Sequence, residues 1–183
     1  DSTLRRMALE ARHLGFNAVV VPECTAMECE GITVIPGVII RETTVRDVIR
    51  RVRALPAHPS PFVLVNARDI PFNRAVLGTR GVHALRDIHQ APRASFDHVC
   101  ARTAAERGVS VNLDLRPLVR GRGALRQRAI QRYADILDLS RKFGFSLTIA
   151  SGARSVLEQR SIRETCLICG VFGMTQPEVE AAL

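Results

Sequence analysis

Arg116, Arg120, Arg122, Arg126, Arg128 and Arg132 fall in one stretch with no carboxylate between its first and last members. Guanidinium groups at this density suit phosphate oxygens, which they grip through paired N–H donors. Helix stability does not account for their placement. Several stand before or within the first turns of a helical pattern, where a positive side chain opposes the helix dipole by roughly 0.3 to 1 kcal/mol. A bound phosphate reverses that balance, because exposed N–H groups at a helix N-terminus attract anions. Gly121 and Gly123 in the same loop would let the backbone approach such an oxygen closely.

Other residues at strand-to-helix junctions carry related chemistry. Arg68 and Asp69 follow one apolar run, Arg86 and Asp87 another, and Ser151, Gly152 and Arg154 a third. The turn Ser151-Gly152-Ala153 could form a nest of backbone N–H groups for a phosphate, or its small residues could serve sterics alone. Metal and nucleophile patterns are weaker. Cys166-x-x-Cys169 has no second pair at zinc-finger spacing, and Cys24 with Cys29 would complete a four-cysteine site only if the fold joined them. The five histidines show no HxH or HExxH spacing, and Ser151 has no GxSxG elbow around it. Asp114 and Glu23 could form a carboxylate pair, or each could simply answer an arginine.

The elements that must position these groups alternate along the whole chain. Strand-like runs are expected at Ala18–Pro22, within Ile32–Arg41, and at Phe62–Val65, Val82–Leu85, Val109–Leu115 and Ser146–Ala150. Helical patterns are expected at about 3–14, 44–55, 73–77, 95–107, 124–143, 153–171 and 176–183, with Ser95 as an N-cap. This alternation predicts an α/β protein built from βα units around a parallel sheet. In Val109–Leu115 the apolar residues alternate with Ser110, Asn112 and Asp114, so the polar face would point into a barrel and must find hydrogen-bond partners there. Six or seven strands are fewer than a closed eight-stranded barrel needs. An open or incomplete barrel is therefore expected, as one domain over residues 1–183.

Composition narrows the partners. The 183 residues carry a net charge of +8, with 25 arginines and the single lysine Lys142. Residues 41–132 hold 18 arginines against 7 carboxylates, a balance of +11, which leaves −3 for the rest. That concentration predicts an anionic partner, nucleic acid ahead of membrane. No run reaches the roughly 18 to 20 apolar residues that a membrane helix requires. Aromatic residues make up 4%, with one tyrosine and no tryptophan, so an extended base-stacking platform is disfavoured. Backbone charge and shape would dominate recognition, which suits structured RNA. An odd set of five cysteines favours reduced thiols and a cytoplasmic setting.

Several segments, in order, resemble the family of ribonuclease P protein component 3, archaeal relatives of a thirty-kilodalton eukaryotic subunit. They are His13-Leu14-Gly15-Phe16, Ala18–Pro22, Gly37–Ile40, Asn112–Leu118, Ile149–Ala153 and Phe172–Glu178. The resemblance implies a PHP-like, TIM-barrel-related fold. It also implies a protein subunit of a ribonucleoprotein endonuclease that removes 5′ leaders from precursor tRNA. The catalytic centre is then expected in the RNA subunit, with magnesium serving that RNA and no cofactor or catalytic residue in this chain. Ribonuclease P RNA, precursor tRNA and another small protein subunit are the implied partners. Members of the family begin with a further strand, so a barrel truncated at its N-terminus is expected. On the residues themselves, Arg68, Arg86, Arg116, Arg120, Arg122, Arg126, Ser151, Gly152 and Arg154 are the expected RNA-binding groups. The alternative is a metal-dependent PHP-type phosphoesterase, disfavoured because the late turn carries neither Asp nor His.

Overall fold

Continuous apolar runs become parallel strands when both faces are covered, and the helices between them return the chain to the same end of the sheet. The computed structural model describes residues 2–183. Its strands are β1 (Ala18–Pro22), β2 (Met27–Cys29), β3 (Ile32–Ile40), β4 (Phe62–Asn66), β5 (Ala84–Arg86), β6 (Ser110–Asp114) and β7 (Leu147–Ala150). The helices are α1 (Ser2–His13), α2 (Val45–Arg53), α3 (Ile70–Leu77), α4 (His98–Arg107), α5 (Arg116–Arg120), α6 (Gly123–Phe143), α7 (Ile162–Gly170) and α8 (Gln176–Ala182). The sheet runs β1-β3-β4-β5-β6-β7 with every neighbouring pair parallel, and β2 folds back antiparallel on β3. Among the described residues β7 does not pair with β1. The sheet is thus a curled, open half-barrel of six parallel strands.

Alternation along the strands sorts the two faces of the sheet. Val63, Val65, Leu85, Val111 and Leu113 join the core formed with Val48, Phe72, Val76, Ala104 and Ile136 of the helices. The other face of β6 carries the polar residues, and they are satisfied. Asn112 Nδ2 donates to Thr148 Oγ1 at 3.2 Å, and Ser110 Oγ donates to the His83 carbonyl at 3.2 Å. His83 accepts from the Val63 amide at 3.0 Å and stacks on Phe62, so it is a structural histidine.

The nine-residue β3 runs straight through Pro36. Its first residues pair with β2 up to Val34 and its last with β4 from Gly37, so at Pro36 only β1 lies alongside. A missing N–H therefore breaks no second ladder there.

Helix starts differ from the expected ones wherever a better cap stands nearby. Asp69 accepts from the Phe72 amide at 3.0 Å, so α3 begins at Ile70, three residues before the expected Asn73. Asp97 accepts from the Val99 and Cys100 amides, so α4 starts at His98, and Ser95 lies buried in a preceding 3-10 turn. The expected helix over 153–171 is divided. A 3-10 turn at Val156–Glu158 comes first, and a capping box between Ser161 and Glu164 then opens α7.

Candidate nucleic-acid interface

Because the six strands are parallel, the loops leaving their C-terminal ends gather along one rim. Asn66 and Arg86 are neighbours in register where β4 and β5 end, and Asp114 and Ala150 where β6 and β7 end. The rim therefore brings Arg68, Arg86, Arg116 and the turn 151–154 to one edge of the sheet.

Asp114 organises the centre of this edge. Its Oδ1 accepts from the Arg116 amide at 2.8 Å, and its Oδ2 lies 3.4 Å from Arg86 Nη2. Arg86 Nε is 3.5 Å from Asp87 Oδ2 but is not aligned for a hydrogen bond. The Tyr133 hydroxyl donates to the Asp114 carbonyl at 2.7 Å and lies 3.0 Å from His89 Nδ1. Burial pushes the Asp114 carboxyl up, while the Arg116 amide and the Arg86 charge pull it back. Burial also lowers His89, against the opposing pull of Asp87 and Asp114, and raises the Tyr133 phenol. This is a half-buried polar network with one guanidinium between two carboxylates.

A second carboxylate, Glu158, ties the neighbouring arginines. Arg120 Nε donates to Glu158 Oε1 at 2.9 Å, Arg116 Nε lies 3.8 Å from Oε2, and the Arg154 amide donates to Oε2 at 2.9 Å. That amide, first among causes, together with Arg120 and Arg116, holds the Glu158 carboxyl below its ordinary value. The turn that could form a phosphate nest is thus partly filled from within. The Ala153 amide donates to Ser151 Oγ at 3.3 Å, and Gly152 takes φ +58° against the Asp114 carboxylate and the Arg116 side chain. An added Cβ at Gly152 would stand 2.9 Å from Arg116 Cβ.

The remaining expected RNA-binding residues divide. Arg68 donates through Nε to the Glu42 carbonyl and through Nη2 to the Arg41 carbonyl, both at 3.3 Å, and lies over the Phe72 ring. With Thr43, Asp69 and Gln90 it lines a shallow pocket of about 380 Å³. Arg122, Arg126 and Arg128 are exposed around the start of α6, and Arg126 Nε donates to the Gly121 carbonyl at 3.0 Å. Gly121 is required by the chain itself, since a Cβ there would meet the Pro117 carbonyl. Arg132 departs from the surface role of its neighbours: it is 5% exposed and donates to the Ile88 carbonyl and to Ser95 Oγ, both at 3.4 Å.

Tyr133, His89 and Glu158 take roles here that their sequence positions do not announce. Tyr133 and Arg132 share the spacing of Ala129, Ile136 and Leu137, the buried stripe of α6, and that periodicity is the signal that places them inward. The two cysteine pairs pack against different core clusters, with Cys24 before β2 and Cys29 at its end in one and Cys166 and Cys169 of α7 in the other. Burial pushes the Cys169 thiol up to about 12. Among the described residues no group of three or more His, Cys, Asp and Glu could hold a metal ion. A PHP-type phosphoesterase has no donor set among them. Nor, among those residues, is any helix long and apolar enough to cross a membrane.

Comparison with known proteins agrees with this architecture. The family described as RNase P subunit p30 matches residues 1–183. Ribonuclease P protein component 3 of Methanosarcina barkeri is 27% identical over the whole chain, which covers 80% of that protein. The protein of the same description from Methanothermobacter thermautotrophicus is 29% identical, again over the whole chain and 80% of its own length. A chain in the cryo-EM structure of archaeal ribonuclease P with mature tRNA superposes with a TM-score of 0.76 at 17% identity, over 97% of this chain and 82% of that one.

Proposed function

Because the chain belongs to the RNase P subunit p30 family, and is on that ground a protein subunit of ribonuclease P, we propose that its strand-end rim binds structured RNA and supports cleavage of 5′ leaders from precursor tRNA. The observation that carries this reading is the charge left over at the rim. Arg120, Arg122, Arg126, Arg128 and Arg154 are all exposed, and Glu158 is the one carboxylate that pairs with any of them among the described residues. Guanidinium groups in that surplus neutralise backbone phosphates without reading sequence. The catalytic centre belongs to the RNA, with magnesium serving that RNA. The chain works in the cytoplasm alongside ribonuclease P RNA, precursor tRNA and another small protein subunit.

The test is reconstitution with the ribonuclease P RNA of the same organism and its other protein subunits. Adding the chain raises precursor-tRNA cleavage at limiting magnesium. The R120Q/R122Q/R126Q variant weakens RNA binding and lowers the salt slope by about one unit for each phosphate it no longer neutralises. Unchanged cleavage on adding the chain, or an unchanged slope in the variant, refutes the reading.

A further inference from the structure

The opposite end of the half-barrel carries a second basic feature that the rim does not explain. Where α3 turns into β5 and α4 turns into β6, a pocket of about 400 Å³ is lined by Leu77–Val82 together with Arg107 and Val109. Among the described residues no carboxylate lines it. Neither Arg80 nor Arg107 makes an ion pair or a side-chain hydrogen bond among the described residues, whereas Arg86, Arg116 and Arg120 at the rim are all tied to carboxylates. The backbone adds donors. In the turn from Gly78 to His83 the other amides bond within the chain, but among the described residues those of Arg80 and Gly81 find no partner, and Gly81 takes φ +89°. Successive free N–H groups in such a turn form an anion-binding concavity. Favourable placement at a helix C-terminus accounts for Arg107, in the last turn of α4, but not for Arg80, which lies outside any helix.

We propose that this pocket holds a backbone phosphate of RNA, gripped by Arg80, Arg107 and the Arg80 and Gly81 amides. The chain then meets RNA at both ends of its sheet. The proposal rests on the RNA-binding reading above and adds a site to it. RNA is favoured over an acidic protein because none of the exposed large apolar side chains lines the pocket, and protein interfaces centre on apolar or aromatic anchors. Gly81 also fixes the shape of the turn: an added Cβ would stand 2.8 Å from Val52 Cγ1 of α2.

The experiment measures binding of the full chain to a transcript of the ribonuclease P RNA from the same organism across a salt series, with R80Q/R107Q, R80K/R107K and R120Q/R122Q/R126Q in parallel. Neutralising about two fewer phosphates lowers the salt slope by about 1.6, so the loss of affinity between about 50 and about 200 mM salt shrinks roughly ten-fold in R80Q/R107Q. R80K/R107K keeps both charges and restores the slope, which a folding defect would not do. If R80Q/R107Q binds as the unaltered chain does while R120Q/R122Q/R126Q is impaired, the pocket is not an RNA site and the rim reading stands. If the unaltered chain binds no RNA, both readings fall. Unchanged RNA binding with impaired assembly onto another protein subunit would overturn the proposal in favour of an acidic protein partner.

Discussion

Gly152→Ala should destabilise the protein far more than its backbone conformation alone requires. Gly152 at φ +58° and Gly108 at φ +65° occupy the same left-handed region, where an alanine costs about 1 kcal/mol. Their surroundings differ. Nothing lies within 4 Å of a Cβ added at Gly108, whereas one at Gly152 meets the Asp114 carboxylate. That carboxylate is held by the Arg116 amide at 2.8 Å, and a hydrogen bond to a charged group is worth about 1.5 to 3 kcal/mol. Displacing it brings the cost of Gly152→Ala to about 3 kcal/mol, against about 1 kcal/mol for Gly108→Ala. For a chain of this length the melting temperature should fall by roughly 6 to 12 °C in the first variant and roughly 2 to 4 °C in the second. Thermal and urea unfolding followed by circular dichroism read both. In an Asp114→Ala background that hydrogen bond is already gone while the 2.9 Å approach to Arg116 Cβ remains, so Gly152→Ala should cost about 2 kcal/mol less than it does in the unaltered chain. Equal destabilisation by the two glycine substitutions, or additivity with Asp114→Ala, would refute the close packing of the turn against this carboxylate.

Two further outcomes follow from single side chains. Tyr133→Phe keeps the edge-on ring contact with Phe172 but removes the hydroxyl from the Asp114 carbonyl and from His89, which should cost about 1 to 3 kcal/mol in urea unfolding and leave the salt slope of RNA binding unchanged. Arg141 donates from Nε and Nη2 to the two oxygens of Glu178 and, with the Thr175 amide, holds that carboxyl down to about 2. A folded value below the unfolded one gives stability that is complete above the unfolded value and disappears as pH falls through the folded one. The gap in melting temperature between the unaltered chain and Glu178→Gln should therefore be widest near neutrality and close from about pH 4.5 toward pH 2. A gap that is constant with pH would show that the carboxylate charge contributes nothing.

Most of the fold was legible because burial on both faces writes strands as continuous apolar runs, as in Phe62–Val65. The alternation in Val109–Leu115 carried more, since it called for polar partners that Thr148 and the His83 carbonyl supply. Helix starts were less legible because a cap is chosen in competition. Ser95 has the right side chain, but Arg132 and the buried turn claim it, and Asp97 caps α4 instead. At the site the arginine positions could be read, but their effective charge could not. Glu158 lies 38 residues from Arg120, and Asp114 lies 28 residues from Arg86, and only the fold brings each pair together. The +11 of residues 41–132 is therefore not a single field. Asp87 and Asp114 of the same stretch, with Glu158 from outside it, neutralise the middle of the rim, Arg132 is withdrawn into the core, and part of the surplus gathers at the start of α6 and part at the pocket of Arg80 and Arg107, with Arg46, Arg51 and Arg53 on α2 besides. The five residues of β6, at about 3.3 Å each, hold the two ends roughly 17 Å apart. That is beyond a Debye length of about 8 Å at physiological salt. Each proposed surface would then attract phosphate on its own account, and an arginine count over the whole chain measures neither.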